Sequence, residues 1–270
     1  MAQSRPRALI TGASAGIGAA YAERLARDGY DLVLVARRRA RLTELAERLR
    51  REGAIEPEVL AADLTDAASL AQVEARAAGD ERLVLLINNA GFGGYRPFAE
   101  IDPDVVDDLV DVHVRAVARL TRAALPGMVR RGAGGIINVA SLLALSGSVP
   151  PDPLPYRAVY AGAKAFIVTF TEALAGELKG TGVRVQVCLP GLVDTEFHTV
   201  AGRDRSKMPP MMKAADLAAA SLAGLARGEV TCVPALEDAS QLERLADVQR
   251  TVLAVARTPT VARRYRSGAA

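Results

Sequence analysis

The chain has 270 residues, half of them hydrophobic and 24% charged, with a formal net charge of +3. There is enough apolar material for a sizeable core, and no stretch approaches the roughly 18 uninterrupted apolar residues of a bilayer-spanning helix. The arginines interleave with acids, as in Arg24, Arg27, Asp28 and Glu44, Glu47, Arg48; this is the pattern of solvated helix faces, so neither a nucleic-acid nor a membrane partner is expected.

The start of the chain, Met-Ala-Gln-Ser-Arg-Pro-Arg, carries no charged-then-apolar leader, and a cytoplasmic protein is expected. Cys188 and Cys232 each sit in a short apolar run. They lack metal-ligand spacing and read as reduced core thiols, with no metal site.

Short β-branched or leucine-rich runs alternate with longer amphipathic ones, which is the mark of βαβ units around a parallel sheet. The first strand, Ala8 to Ile10, runs into Thr11-Gly12-Ala13-Ser14-Ala15-Gly16-Ile17-Gly18, which opens a helix over Ile17 to Asp28. Gly12 suits a tight turn, Gly16 a close backbone approach to a pyrophosphate, and Gly18 close helix packing. The helix N-terminus offers free N–H groups to phosphate, with Ser14 and Ile17 beside it.

A second strand, Asp31 to Ala36, ends in Arg37-Arg38-Arg39. An acid at that strand end would read the 2′-hydroxyl of NAD, whereas arginine pairs with the 2′-phosphate of NADP. NADP(H) is therefore expected, held by Arg37 and Arg38, while Arg39 and Arg41 solvate the next helix, Ala40 to Glu52. Then come a strand over Glu58 to Ala61, a helix over Ala67 to Ala77, a strand over Leu83 to Ile87, and a helix over Asp104 to Arg131.

The strand Gly135 to Ala140 ends at Ser141, at the carboxyl edge where α/β sheets hold ligands. A hydroxyl there can donate to a carbonyl oxygen as charge develops. A Pro-dense loop containing Pro150, Pro151, Pro153 and Pro155 leads to a helix over Tyr156 to Lys179. In Tyr160-Ala161-Gly162-Ala163-Lys164 the i,i+4 spacing puts phenol and ammonium on one face. The ammonium favours the phenolate, so Tyr160 can shuttle a proton, and Lys164 can also bond the nicotinamide ribose.

Strands over Arg184 to Leu189 and Val230 to Val233, with a helix over Ala214 to Arg227 between them, complete seven strands. Residues 196–212 form a substrate-covering loop whose Met208, Met211 and Met212 suit an adaptable apolar pocket. A helical extension over 237–256 carries Leu242, Leu245, Val248, Val252 and Leu253 at helical spacing. It packs against the domain, forms a dimer contact or covers the pocket. The whole of 1–270 reads as one α/β domain, Rossmann-like and doubly wound, with a seven-stranded parallel sheet flanked by helices.

Taken together, the chain resembles the short-chain dehydrogenase/reductase family from residue 5 to about 235. The likeness rests on Thr11 to Gly18, Asp63-Leu64, Asn88-Asn89-Ala90-Gly91, Ser141, Tyr160-x-x-x-Lys164, and Pro190-Gly191 with Val193 and Thr195. The resemblance implies that Asp63 holds the adenine, Asn89 the adenosine ribose side, and Val193 and Thr195 the nicotinamide carboxamide. It further implies that Ser141 positions a carbonyl, Tyr160 is the general acid/base and Lys164 lowers its pKa. The product would be an alcohol made from a ketone or aldehyde with NADPH, reversibly, by a homodimer or homotetramer. Alternatives are an NADP(H)-binding regulatory protein with little catalysis and a reductase of carrier-bound acyl chains.

Three departures from the family stand out. Ala15 replaces a basic residue common in NADP-dependent members. His113 stands where an asparagine usually supports a proton relay, so it is either a substitute relay or a packed helix histidine. Ser141 and Tyr160 are 19 positions apart, about half a dozen more than usual.

Overall fold

The computed structural model describes residues 5–53, 55–152, 154–200, 202 and 208–266. It contains two units, 1–234 and 235–270, where the sequence reads as one domain.

The first unit runs β1 (Arg7–Thr11), α1 (Gly16–Arg27), β2 (Asp31–Ala36), α2 (Arg39–Gly53), β3 (Glu58–Ala61), α3 (Ala67–Ala78), β4 (Leu83–Asn88), α4 (Pro103–Val110), a π-helical turn (Asp111–Arg115), α5 (Ala116–Arg131), β5 (Gly134–Val139), α6 (Ala158–Glu177), β6 (Val183–Cys188), β7 (Val193–Asp194), α7 (Phe197–Val200), β8 (Met212–Lys213), α8 (Ala214–Arg227) and β9 (Thr231–Cys232). Seven strands form one parallel sheet in the order β3-β2-β1-β4-β5-β6-β9, and β7 pairs with β8 apart from it.

The strands are apolar at nearly every position because helices cover both faces. Ala8, Ile10, Leu32, Leu34, Leu85 and Ile87 pack towards α1, α2 and α8. Leu9, Val33, Val35, Leu83 and Leu86 pack on the other side with α3, α5 and the end of α6. The sheet order reverses between β1 and β4, and the crevice beyond their carboxyl ends is where such folds bind ligands.

Buried polar groups tie the second half of the sheet to its helices. Asn88 Nδ2 donates to Asn138 Oδ1 at 2.8 Å, and Asn138 Nδ2 donates to Thr171 Oγ1 at 2.9 Å. The chain β4, β5, α6 is thereby held in one register. α6 is apolar along most of its length because one stripe of it, including Ile167, Val168 and Leu174, is core.

The second unit contains α9 (Ser240–Val255), inside the expected extension. No residue of α9 is buried, and Leu245, Val248, Val252 and Leu253 are exposed.

Candidate active site

The glycine loop is shaped as much by protein contacts as by any ligand. Gly12 has φ +67°, and a Cβ there would lie 2.8 Å from Ala90 Cα; Gly16 has φ +56°, and its Cβ would lie 2.9 Å from the Thr195 methyl. A Cβ on Gly18 would strike the Gly12 carbonyl. The sequence assigns Gly16 to clearance for a pyrophosphate; in the structure the place a Cβ would take there is held by the Thr195 methyl. The residue before α1, Ala15, offers no side-chain cap, and no acid stands in the first turn. The leading N–H groups of α1, with Ile17 at its start, are thus left for an anion. An uncapped helix start behind a glycine turn fits a dinucleotide phosphate.

Asn88 to Gly91 is fastened to this loop. Thr11 Oγ1 accepts from Asn89 N at 2.9 Å and Ala90 N at 3.0 Å, while Asn89 Nδ2 donates to the Thr11 carbonyl at 3.0 Å. The Asn89 amide, expected beside the adenosine ribose, is engaged in joining β4 to β1. Leu64 is buried on the α3 side of the sheet.

At the end of β2, Arg37 Nη1 lies 3.8 Å from Asp63 Oδ2. Asp63 also accepts from Thr65 N and Oγ1. Arg38 reaches Ser14 Oγ at 3.1 Å and the Glu196 carboxylate, which Arg41 Nη1 also approaches at 3.1 Å. Arg41 thus joins the charged cluster although the sequence assigns it to solvent. Leu142 N donates to the Pro190 carbonyl, so Pro190-Gly191 abuts the turn after Ser141. Val193 is buried in β7 and Thr195 Oγ1 accepts from Phe197 N.

Ser141, Tyr160, Lys164 and His113 are brought together. Ser141 caps the turn Leu142–Leu145, its Oγ accepting from Leu143 N at 3.2 Å, which leaves its hydroxyl hydrogen to donate. Tyr160 and Lys164 are buried on α6. Lys164 Nζ donates to the Val139 carbonyl at 2.9 Å and lies 5.6 Å from the centre of the Tyr160 ring. Burial pushes the lysine down to about 7.

The sequence expects Lys164 to lower the Tyr160 pKa. In the structure burial holds that phenol well above its ordinary value, Tyr95 adds to the rise, and a hydrogen bond with Ser141 pulls against it. At the phenol burial is the leading influence, while Lys164 Nζ donates to the Val139 carbonyl.

His113 is fully buried in the π-helical turn. Its Nε2 is 3.0 Å from the Phe92 carbonyl, which can only accept, so Nε2 carries the proton and Nδ1 is a bare acceptor without a partner among the described residues. Burial first and Lys164 second push its pKa well below the usual histidine value. The imidazole meets Tyr160 edge-on, with ring centres 5.5 Å apart.

Three residues that the sequence does not single out belong here. Tyr95 packs edge-on against Tyr160 at 5.3 Å, Phe197 lies 6.3 Å from the same ring, and Glu196 holds two arginines. An aromatic so soon after Gly91-Phe92-Gly93-Gly94 is the signal for Tyr95, since Gly93 leaves space where its ring lies. The Pro-dense loop walls a different cavity of about 420 Å³, lined by Ser146, Val149, Pro151, Arg157, Ala161 and Gly162. That cavity touches none of Ser141, Tyr160 and Lys164, because Ala161 and Gly162 project from the other flank of α6. Pro153 lies outside the described residues, as do 201 and 203–207 of the expected substrate loop.

Residues 6–206 match the family model of the short chain dehydrogenases. A sulfoacetaldehyde reductase of Chromohalobacter salexigens is 37% identical over 195 residues, 71% of this chain and 74% of the relative. A very-long-chain 3-oxoacyl-CoA reductase of Danio rerio is 34% identical over 197 residues, 72% of this chain but only 61% of the relative's length. Among solved structures, a short-chain dehydrogenase from Sphingobium yanoikuyae in complex with NADPH superposes with a TM-score of 0.90 at 38% identity, covering 96% of this chain and all of the other. The bulky-bulky ketone specific alcohol dehydrogenase from Comamonas testosteroni gives 0.88 at 34% identity, over 97% and 99% of the two chains. With its parallel sheet, its glycine loop and its buried tyrosine and lysine, the chain belongs to the short-chain dehydrogenase family of oxidoreductases.

Proposed function

We propose that this protein reduces a ketone or aldehyde to an alcohol with NADPH, reversibly, using Ser141, Tyr160 and Lys164. The observation that carries the reading is the buried phenol of Tyr160, held protonated between Ser141 and Tyr95 at the carboxyl edge of the sheet. A protonated phenol out of water is a loaded proton donor at neutral pH. The cofactor supplies the hydride to the carbonyl carbon. Ser141 turns its hydroxyl hydrogen from the phenol to the carbonyl oxygen, and Tyr160 gives that oxygen its proton. Lys164, fixed by the Val139 carbonyl, lies buried beside the phenol ring.

NADPH is favoured by Arg37 and Arg38 at the end of β2 and by Ser14 on the glycine loop, which Arg38 reaches, and the Sphingobium yanoikuyae relative was solved with that cofactor. Tyr95 and Phe197 give the site an aromatic wall, suited to a carbonyl with an apolar flank; the Comamonas testosteroni enzyme is named for bulky-bulky ketones.

A panel of ketones and aldehydes, followed by loss of reduced nicotinamide absorbance, tests the reading. At least one apolar carbonyl should be turned over with NADPH, and Tyr160→Phe should abolish it while NADPH still binds. Turnover retained in Tyr160→Phe would place the acid elsewhere.

A further inference from the structure

At the end of β2 the chain has built an anion seat and filled it with its own carboxylate. Arg38 bonds Ser14 Oγ on the glycine loop at 3.1 Å and also bonds Glu196 Oε1; Arg41 Nη1 bonds Glu196 Oε2 at 3.1 Å. The guanidinium groups of α2 and its lead-in thus converge on one anion, and the glycine-loop hydroxyl of Ser14 anchors one of them, Arg38. Arg38 and then Arg41 hold the Glu196 carboxyl below the usual carboxylate range, so it is charged at neutral pH. Guanidinium groups accept a carboxylate or a phosphate by the same fork of N–H donors. The end of β2 is also where these folds read the 2′-position of the adenosine ribose.

We propose that Glu196 is a specificity-determining residue, whose carboxylate occupies the seat at Arg38 and Arg41 and competes there with the 2′-phosphate of NADPH. NADH has no such phosphate and leaves the pair undisturbed. The inference rests on the NADPH reading above and deepens it. Binding of the phosphate frees Glu196, which sits between Thr195, against the glycine loop, and Phe197, against Tyr160. The same short segment therefore touches both ends of the cofactor site.

Glu196→Gln removes the charge and keeps the shape. The side chain is partly exposed, so the variant folds. Isothermal titration calorimetry with NADPH, NADH, adenosine 2′,5′-bisphosphate and 5′-AMP reads the effect without any turnover. NADPH and the bisphosphate should bind the variant about threefold more tightly, the size of one exposed ion pair, while NADH and AMP stay as in wild type. Equal affinities for NADPH in both proteins would overturn the proposal. Weaker NADPH binding in the variant would overturn it too, since Glu196 would then be holding the arginines in place for the phosphate.

Arg38→Ala separates this from the underlying reading. If it removes the NADPH preference while Glu196→Gln changes nothing, only the competition fails. If Arg38→Ala leaves NADPH binding intact, the seat at Arg38 does not hold the phosphate and the competition falls; if Arg37→Ala leaves it intact as well, the phosphate reading falls too.

Discussion

Gly91 and His113 pack so tightly that a methyl group on Gly91 would lie 2.3 Å from Cε1 of the imidazole. Gly91 does not adopt a left-handed backbone, so the glycine is required by space and not by φ. Gly91→Ala should destabilise the protein by about 1–3 kcal/mol through overpacking. In the Gly91→Ala, His113→Ala double variant the ring is gone, and the two costs should fall short of their sum by about 1 kcal/mol or more. Urea denaturation of the four proteins measures this coupling, and simple additivity would show that the contact is not what excludes alanine.

The buried state of His113 predicts an acid sensitivity. Its folded pKa lies well below the ordinary 6.5, so below about pH 6.5 the unfolded chain binds a proton that the folded chain does not, and stability falls as pH falls. His113→Asn should flatten that slope between pH 6.5 and 5. The same depression makes the imidazole a poor proton carrier and suits it to be a fixed acceptor through Nδ1. His113→Asn should therefore keep turnover within about threefold, since an amide oxygen also accepts. A collapse of single-turnover rate in a variant of unchanged melting temperature would show that imidazole protonation matters to catalysis.

Lys164 is held against its own charge. An ordinary lysine keeps its proton to 10.5 and this one only to about 7, so between those values the unfolded chain carries a proton that the folded chain lacks. Stability should rise with pH across that window, by up to about 1.4 kcal/mol per pH unit. Lys164→Met should remove the rise. At neutral pH it should be more stable than wild type by about 2 kcal/mol, or roughly 5 °C, after allowing for the orphaned Val139 carbonyl. Thermal melts at pH 7 and pH 10 check both statements, and a variant that is less stable at pH 7 would contradict the burial argument. Its carbonyl reduction should be lost all the same.

After burial, Tyr95, a residue outside the resemblance, adds to the rise in the Tyr160 pKa. Its phenol raises the Tyr160 pKa, both by charge and by hydrogen bonding. Alcohol oxidation needs Tyr160 as phenolate, so the oxidation rate should climb with pH on the alkaline side. Tyr95→Phe should move that climb to lower pH. Carbonyl reduction at pH 7, where the phenol is protonated in both proteins, should change by less than about tenfold. The pH profile of kcat for oxidation is the measurement, and an unmoved profile would remove Tyr95 from the proton chemistry.

Much of the architecture was readable before any coordinates. The strand over Asp31 to Ala36 and the helix over Ala214 to Arg227 fall where their sequences place them, because the first is a short bounded apolar run and the second an amphipathic stretch that ends at Gly228. The stretch Asp104 to Arg131 reads as one helix and is interrupted at Asp111–Arg115 by a π-helical turn, which no residue type announces. β7, α7 and β8 were not anticipated either. They have two, four and two residues, too few for a period, and β7 and β8 exist through each other.

What the sequence by itself determined is what depends on local chemistry and period: the alternation of strand and helix, the glycine turn before α1, and the i,i+4 pairing of Tyr160 with Lys164. Tertiary structure alone decided which neighbours those groups meet. Glu196 lies 158 positions from Arg38, Tyr95 lies 65 from Tyr160, and Lys164 donates to Val139, 25 positions away. A pKa, an anion seat or the space beside a glycine is set by atoms within a few ångströms, and the sequence does not state which distant atoms those will be until the sheet order has brought them together.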